Sequence, residues 1–174
     1  SASLVGSEMC IRDSYPLTAD DGRTLWVYSG AHDMYFVGDF DENGLYQPIQ
    51  SVGQLSYNSQ SYAAQTYYYE PGKPVIRFAW NRSDIPGAPF NGSMCTPTEM
   101  TLKKHGDRYY LSALPIKSTE NLVVKSDKLD DFTLTHCTHE LGSKTCRISF
   151  TVKEGDLTCN LYGLEMKLDK NGLT

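Results

Sequence analysis

Short runs of β-prone residues, each closed by turn residues, make up most of this chain. They fall at 25–29, 34–37, 62–69, 75–80, 99–103 and 108–111, with a looser apolar stretch at 46–55. Short runs with every second side chain apolar, rich in Val, Ile, Tyr, Phe and Trp, are the pattern of strands with one face buried. The punctuation agrees. Asp20-Asp21-Gly22 reads as a tight hairpin turn, residues 39–44 as an acidic turn, and Glu70-Pro71-Gly72-Lys73 and Lys104-His105-Gly106-Asp107 as two more. The aspartates of 39–44 are expected to be solvated turn formers rather than cation ligands. No run of about ten or more residues carries a helical period. The fold class is therefore all-β.

The stretch 75–102 is the centre of the chain. Its flanks, 75–80 and 94–102, are strand-like, and the loop 81–93 between them holds Pro86-Gly87-Ala88-Pro89. Proline removes a backbone donor and glycine admits a positive φ, so this loop cannot continue the ladder. With Trp80, Arg82, Asp84, Phe90 and Asn91 it mixes ring faces with hydrogen-bonding groups. A loop of that kind between two rigid strands is expected to form a binding rim.

After Pro115-Ile116 the polar stretch 117–131 reads as a linker containing a strand. Further strands are predicted at 132–137, 145–152, 157–161 and 164–168, with a turn at Glu154-Gly155-Asp156. About eight strands in hairpin order before the linker fit two four-stranded blades, whereas a closed propeller needs about four blades or more. Residues 15–116 and 117–174 are thus expected to be two parts.

Composition narrows the partners. A net charge of −5 and a pI near 5.3 oppose binding to nucleic acid or an anionic membrane surface. No apolar run approaches the roughly 20 residues of a helical span. Cys10, Cys95, Cys137, Cys146 and Cys159 form no recognised metal spacing and contain no CxxC pair. No metal and no cofactor is expected. Free buried thiols are the default, with a Cys137–Cys146 hairpin disulfide as the alternative for an exported protein. Residues 1–14 differ in character from the rest of the chain; they resemble a translated sequencing-adapter read-through and are set aside from the fold.

Three ordered segments carry a family resemblance. They are Gly38-Asp39-Phe40-Asp41, then Tyr62-Ala63-Ala64-Gln65-Thr66-Tyr67, then Ala79-Trp80-Asn81-Arg82 running through the Pro/Gly loop into Pro97-Thr98-Glu99-Met100-Thr101-Leu102. Together they resemble the end of the catalytic domain of glycoside hydrolase family 32, the β-fructosidases, closest to bacterial levanase-like members. The resemblance implies the last two blades of a five-bladed β-propeller, followed by the first strands of a truncated β-sandwich. It further implies a fragment of a hydrolase cleaving fructosyl bonds of levan, inulin or sucrose, secreted or periplasmic. Its carbohydrate substrate and the missing upstream blades of the same polypeptide would be its partners. The alternative is a non-catalytic carbohydrate-binding or structural β module.

The same resemblance locates the chemistry elsewhere. The family's nucleophile lies in a Trp-Met-Asn-Asp-Pro-Asn-Gly segment and its transition-state stabiliser in Arg-Asp-Pro; neither occurs in a matching place. Its acid/base glutamate precedes an aromatic-Pro-Leu, matched by Tyr15-Pro16-Leu17, and Cys10 falls in the glutamate's place. No catalytic residue is therefore expected, and Asp33, Asp84 and Glu99 are the carboxylates left near the motifs, Glu99 as a strand anchor. Trp80 is expected to line the fructosyl pocket, with Tyr62 and Gln65 reaching it; packing between blades is the competing reading of Trp80. Trp26, between Leu25 and Val27, is expected in the core.

Overall fold

The alternating runs fold as two antiparallel meanders packed face to face, in a computed structural model that describes residues 11–56, 60–67, 70–128, 138–140, 146–149, 151–161, 163–169 and 172–173. The chain divides into two units, Ser1–Ser126 and Asp127–Thr174. In the first unit, strands β1 (Ile11–Thr18), β2 (Thr24–Gly30), β3 (Met34–Phe40) and β4 (Tyr46–Pro48) lie in that order, with β5 (Gly53–Gln54) also on β3. The second sheet has β6 (Ser61–Thr66), β7 (Val75–Asn81), β9 (Thr98–His105) and β10 (Arg108–Pro115) in order, with β8 (Ser93–Met94) on β7. The strand predicted at 94–102 is thus broken at Pro97, which has no amide to donate.

Pleating explains which residues are inside. Leu25 and Val27 of β2, Tyr35 and Val37 of β3, Val75 of β7, Met100 and Leu102 of β9, and Tyr109 and Leu111 of β10 share one core. Their neighbours point the other way. Trp26 is one of these, correcting its expected place in the core: it lies on the outer face, edge-on to Phe40 at 5.3 Å, with Tyr28 stacked on Tyr46 at 4.2 Å beside it. Inside, Tyr15 is buried, its hydroxyl hydrogen-bonded to Ser29 at 2.9 Å, and burial pushes its pKa up to about 12.

Turn chemistry ties the two sheets together. The Asp20-Asp21-Gly22 turn closes the β1–β2 hairpin, and its aspartates also reach the second sheet. Asp20 accepts the Lys104 amide at 2.8 Å, and Asp21 accepts the Tyr109 hydroxyl at 2.8 Å and pairs with the Lys104 ammonium at 3.2 Å. The amide of Arg23, then the Tyr109 hydroxyl, hold the Asp21 carboxyl below its usual range. The Gln50 side chain donates to the Tyr109 carbonyl and accepts its amide, both at 2.8 Å, standing in for a strand neighbour. In the 39–44 turn, Asp41 accepts the amides of Asn43 and Leu45 and acts as a turn former.

Other segments also differ from the sequence reading. β1 begins at Ile11, so Ile11 to Ser14 belong to the sheet: the Asp13 carboxylate accepts the Thr66 amide, and Asp13 and Ser14 sit opposite Ser29 and Tyr28. The described part of 117–131 contains a 3-10 helix, Lys117–Leu122, and no strand, and it belongs with the first unit up to Ser126. The described part of 145–152 is not in a ladder, and the strand predicted at 132–137 lies outside the described residues. Among its described residues the second unit holds an antiparallel sheet of β11 (Leu157–Leu161), β12 (Leu164–Asp169) and β13 (Gly172–Leu173). Cys95, Cys146 and Cys159 are free thiols and none of the three is buried, while Cys137, the other half of the hairpin pair considered from sequence, lies outside the described residues.

Candidate functional site

Two directly opposed rings form the most distinctive surface of the second sheet. Tyr62 on β6 faces Trp80 on β7 in the ladder, with ring centroids 6.4 Å apart and planes at 62°. In β7, Val75, Arg77 and Ala79 point inward, which sends Ile76, Phe78 and Trp80 outward. Trp80 is 46% exposed. The Arg82 guanidinium lies 4.6 Å from the centre of the Tyr62 ring, and the His32 ring contacts Tyr62 at 4.9 Å.

Gln65 joins this face through an irregularity that the sequence does not announce. Tyr62 and Gln65 are three residues apart, so plain alternation would place them on opposite faces. The ladder shifts register between them, leaving Gln65 opposite Phe78. That is a β-bulge, and within it Ala63 takes φ 51°, the left-handed region. The three residues singled out from the sequence therefore share one face. Tyr62 and Trp80 touch, while the exposed Gln65 sits one step along, beside the Phe78 and Tyr67 pair.

The Pro/Gly loop lies beside Trp80, with Gly92 against the edge of the indole. Ile85-Pro86-Gly87-Ala88 closes a turn, Ala88 N donating to the Ile85 carbonyl at 3.1 Å, with Pro in the second place and Gly87 at φ 80° in the third. This is the requirement of a type II turn. Gly92 matters more. Its φ is +77°, and a Cβ there would stand 2.4 Å from the indole nitrogen of Trp80 and 2.9 Å from the Asn81 carbonyl. The loop reaches the indole edge only because that side chain is absent. Gly92→Ala is expected to cost about 1–2 kcal/mol from the left-handed backbone alone. It should also shift Trp80 out of its pose. Urea unfolding, with the emission of Trp80 read in a Trp26→Phe background, checks both.

The carboxylates divide by environment. Asp33, in the β2–β3 turn, is only 4% exposed and forms an ion pair with Arg77, which also contacts the Ser61 hydroxyl at 3.2 Å. Asp33 Oδ2 has no hydrogen-bond partner among the described residues. Asp84 is exposed on the loop, and Glu99 stands on β9 between Ile76 and Leu114. Among the described residues no three His, Cys, Asp or Glu side chains are gathered as a metal site. The Asp33–Arg77 pair is what sequence reasoning missed. Its signal was a charge at an inward position of an alternating strand, between Val75 and Ala79.

The fold and site define an all-β protein that presents an aromatic platform beside a proline-glycine rim. Residues 14–113 match the N-terminal domain of glycosyl hydrolases family 32. The chain belongs to that family. It is 27% identical over 136 residues to a fructan beta-fructosidase of Streptococcus mutans serotype c, a match covering 63% of this chain and 9% of that protein's length. Among solved structures, an exo-inulinase from Aspergillus awamori aligns with a TM-score of 0.49 and 23% identity, over 59% of this chain and 25% of its own. A fructofuranosidase variant from Schwanniomyces occidentalis complexed with fructosylnystose aligns at 0.45 and 21%, over 58% and 23%.

Proposed function

We propose that this chain is part of a β-fructosidase-type glycoside hydrolase that cleaves fructosyl bonds of levan, inulin or sucrose, in a secreted or periplasmic setting. The observation that carries this reading is the family membership of residues 14–113. The two four-stranded meanders support it, because such a sheet is the repeating unit of a propeller. In this reading they are the last two of five blades, and the residues from 117 onward lead into a β-sandwich.

The platform supplies binding. An indole offers an apolar face to the C–H surface of a sugar ring and an N–H to its hydroxyls. Tyr62 holds one side of Trp80, the Arg82 guanidinium restrains Tyr62, and the exposed Gln65 amide reaches hydroxyls on the same face. Chemistry requires more. Retaining hydrolysis takes two carboxyl groups about 5–5.5 Å apart, one nucleophile and one acid/base. The Asp33 carboxylate is committed to Arg77, and Asp84 and Glu99 stand on different elements. The nucleophile and acid/base then come from preceding blades of the same polypeptide.

One titration tests this. The chain in dilute solution is expected to show a change in Trp80 emission with fructo-oligosaccharides and none with malto-oligosaccharides, and to release no reducing sugar from either. Followed by calorimetry, Trp80→Ala should weaken binding about 3–10-fold, the loss of one ring contact. Release of fructose by the chain alone, or equal response to glucose oligomers, would overturn the proposal. An upstream reading frame without the family's acid motifs would favour a non-catalytic sugar-binding module.

A further inference from the structure

The turn between β2 and β3 holds three successive residues of the β6 bulge. Asp33 in the turn pairs with Arg77, whose guanidinium also contacts Ser61 at 3.2 Å. The ring of His32 lies on Tyr62, with centroids 4.9 Å apart. The Ala63 amide donates to the Ala31 carbonyl at 2.9 Å. Residues 61, 62 and 63 are thus each gripped by residues of one turn or by the cation it holds.

This arrangement carries costs that packing alone would not require. Asp33 takes φ 61°, a left-handed backbone. Its buried Oδ2 is unpartnered among the described residues, and such an oxygen forfeits its hydration. An apolar pair of the same volume would fill the space at no such cost. Retained strain and an unsatisfied buried group point to a constraint on geometry.

We propose that Asp33 and Arg77 are positioning residues: their ion pair clamps the β2–β3 turn onto the β6 bulge and so sets the pose of the Tyr62–Trp80 platform. The link runs through bonded steps. Arg77 leaves β7 on the inner face, three residues before Trp80 leaves it on the outer face. Ser61 and Ala63 flank Tyr62, so fixing both backbone positions fixes where its ring meets the indole. Only the ligand arm of the test rests on the carbohydrate reading of the platform.

The test uses the 174-residue chain in a Trp26→Phe background, where Trp80 is the sole indole because the sequence has two tryptophans. Four variants are compared: Asp33→Asn, which tolerates the left-handed backbone, Arg77→Met, the double variant, and Val37→Ala as a core control remote from the platform. The neutral double variant is expected to recover most of the melting temperature lost by either single one. Quenching of Trp80 by acrylamide should nonetheless stay about twofold above the parent's, since the indole loses its contact with Tyr62. Its affinity for fructo-oligosaccharide should fall about tenfold, a full 1.4 kcal/mol. Val37→Ala should lower the melting temperature without changing quenching. A double variant that regains stability together with parental quenching would overturn the proposal, as would equal quenching in Val37→Ala. If the quenching pattern holds while the parent shows no response to sugar, the clamp stands and the carbohydrate reading falls.

Discussion

Replacing Arg77 by leucine is expected to destabilise the first unit by about 3–5 kcal/mol, the cost of leaving one member of a buried ion pair without its counter-charge. Asp33 is 4% exposed and Arg77 9%, so water does not reach the carboxylate to compensate. The loss is large against the ~5–15 kcal/mol that holds a typical domain together. Chemical denaturation of parent and variant at one pH measures the loss. Equal stability of the two proteins would remove the ion pair from any account of this fold.

Purified alone, the chain is expected to self-associate. Both outer faces of the paired sheets are apolar and open. One carries Trp26, Tyr28, Phe36 and Phe40, the other Ile76, Phe78, Trp80, Met94 and Leu114. Met94 and Leu114 are 64% and 61% exposed. Contiguous apolar faces of this extent are rare on monomeric proteins and mark contact surfaces. At about 1.5–3 kcal/mol for each large apolar side chain fully buried, covering either face is worth several kcal/mol. Sedimentation should show concentration-dependent association, and a hydrophobic dye should bind. A monomer with one cooperative melt and no dye binding would contradict this. Tyr35 is not part of either face: it packs between the sheets and accepts the Leu111 amide at 3.2 Å.

The class and the strand order were legible along the chain. Turn residues and period-two runs delimit β2, β7, β11 and β12 nearly residue by residue, because local sterics and one-sided burial act over a few neighbours, whereas β3 runs on to Phe40, into the residues read as the acidic turn. The ordered motifs around Tyr62 and Trp80 carried the family, and the Pro/Gly loop announced a break in the ladder. Trp26 went astray because a run apolar at consecutive positions does not say which parity faces inward; the partner sheet decides that. Packing in three dimensions put Gln65 on the face of Tyr62, since a bulge depends on pairing with β7 and on the Ala31 carbonyl that receives Ala63. It also joined Asp33 to Arg77, 44 residues apart, because such a pair exists where two sheets stack and nowhere along the chain. The two rings could be named from the sequence, but their meeting across β6 and β7 is a contact between segments distant in the chain, and packing decides it.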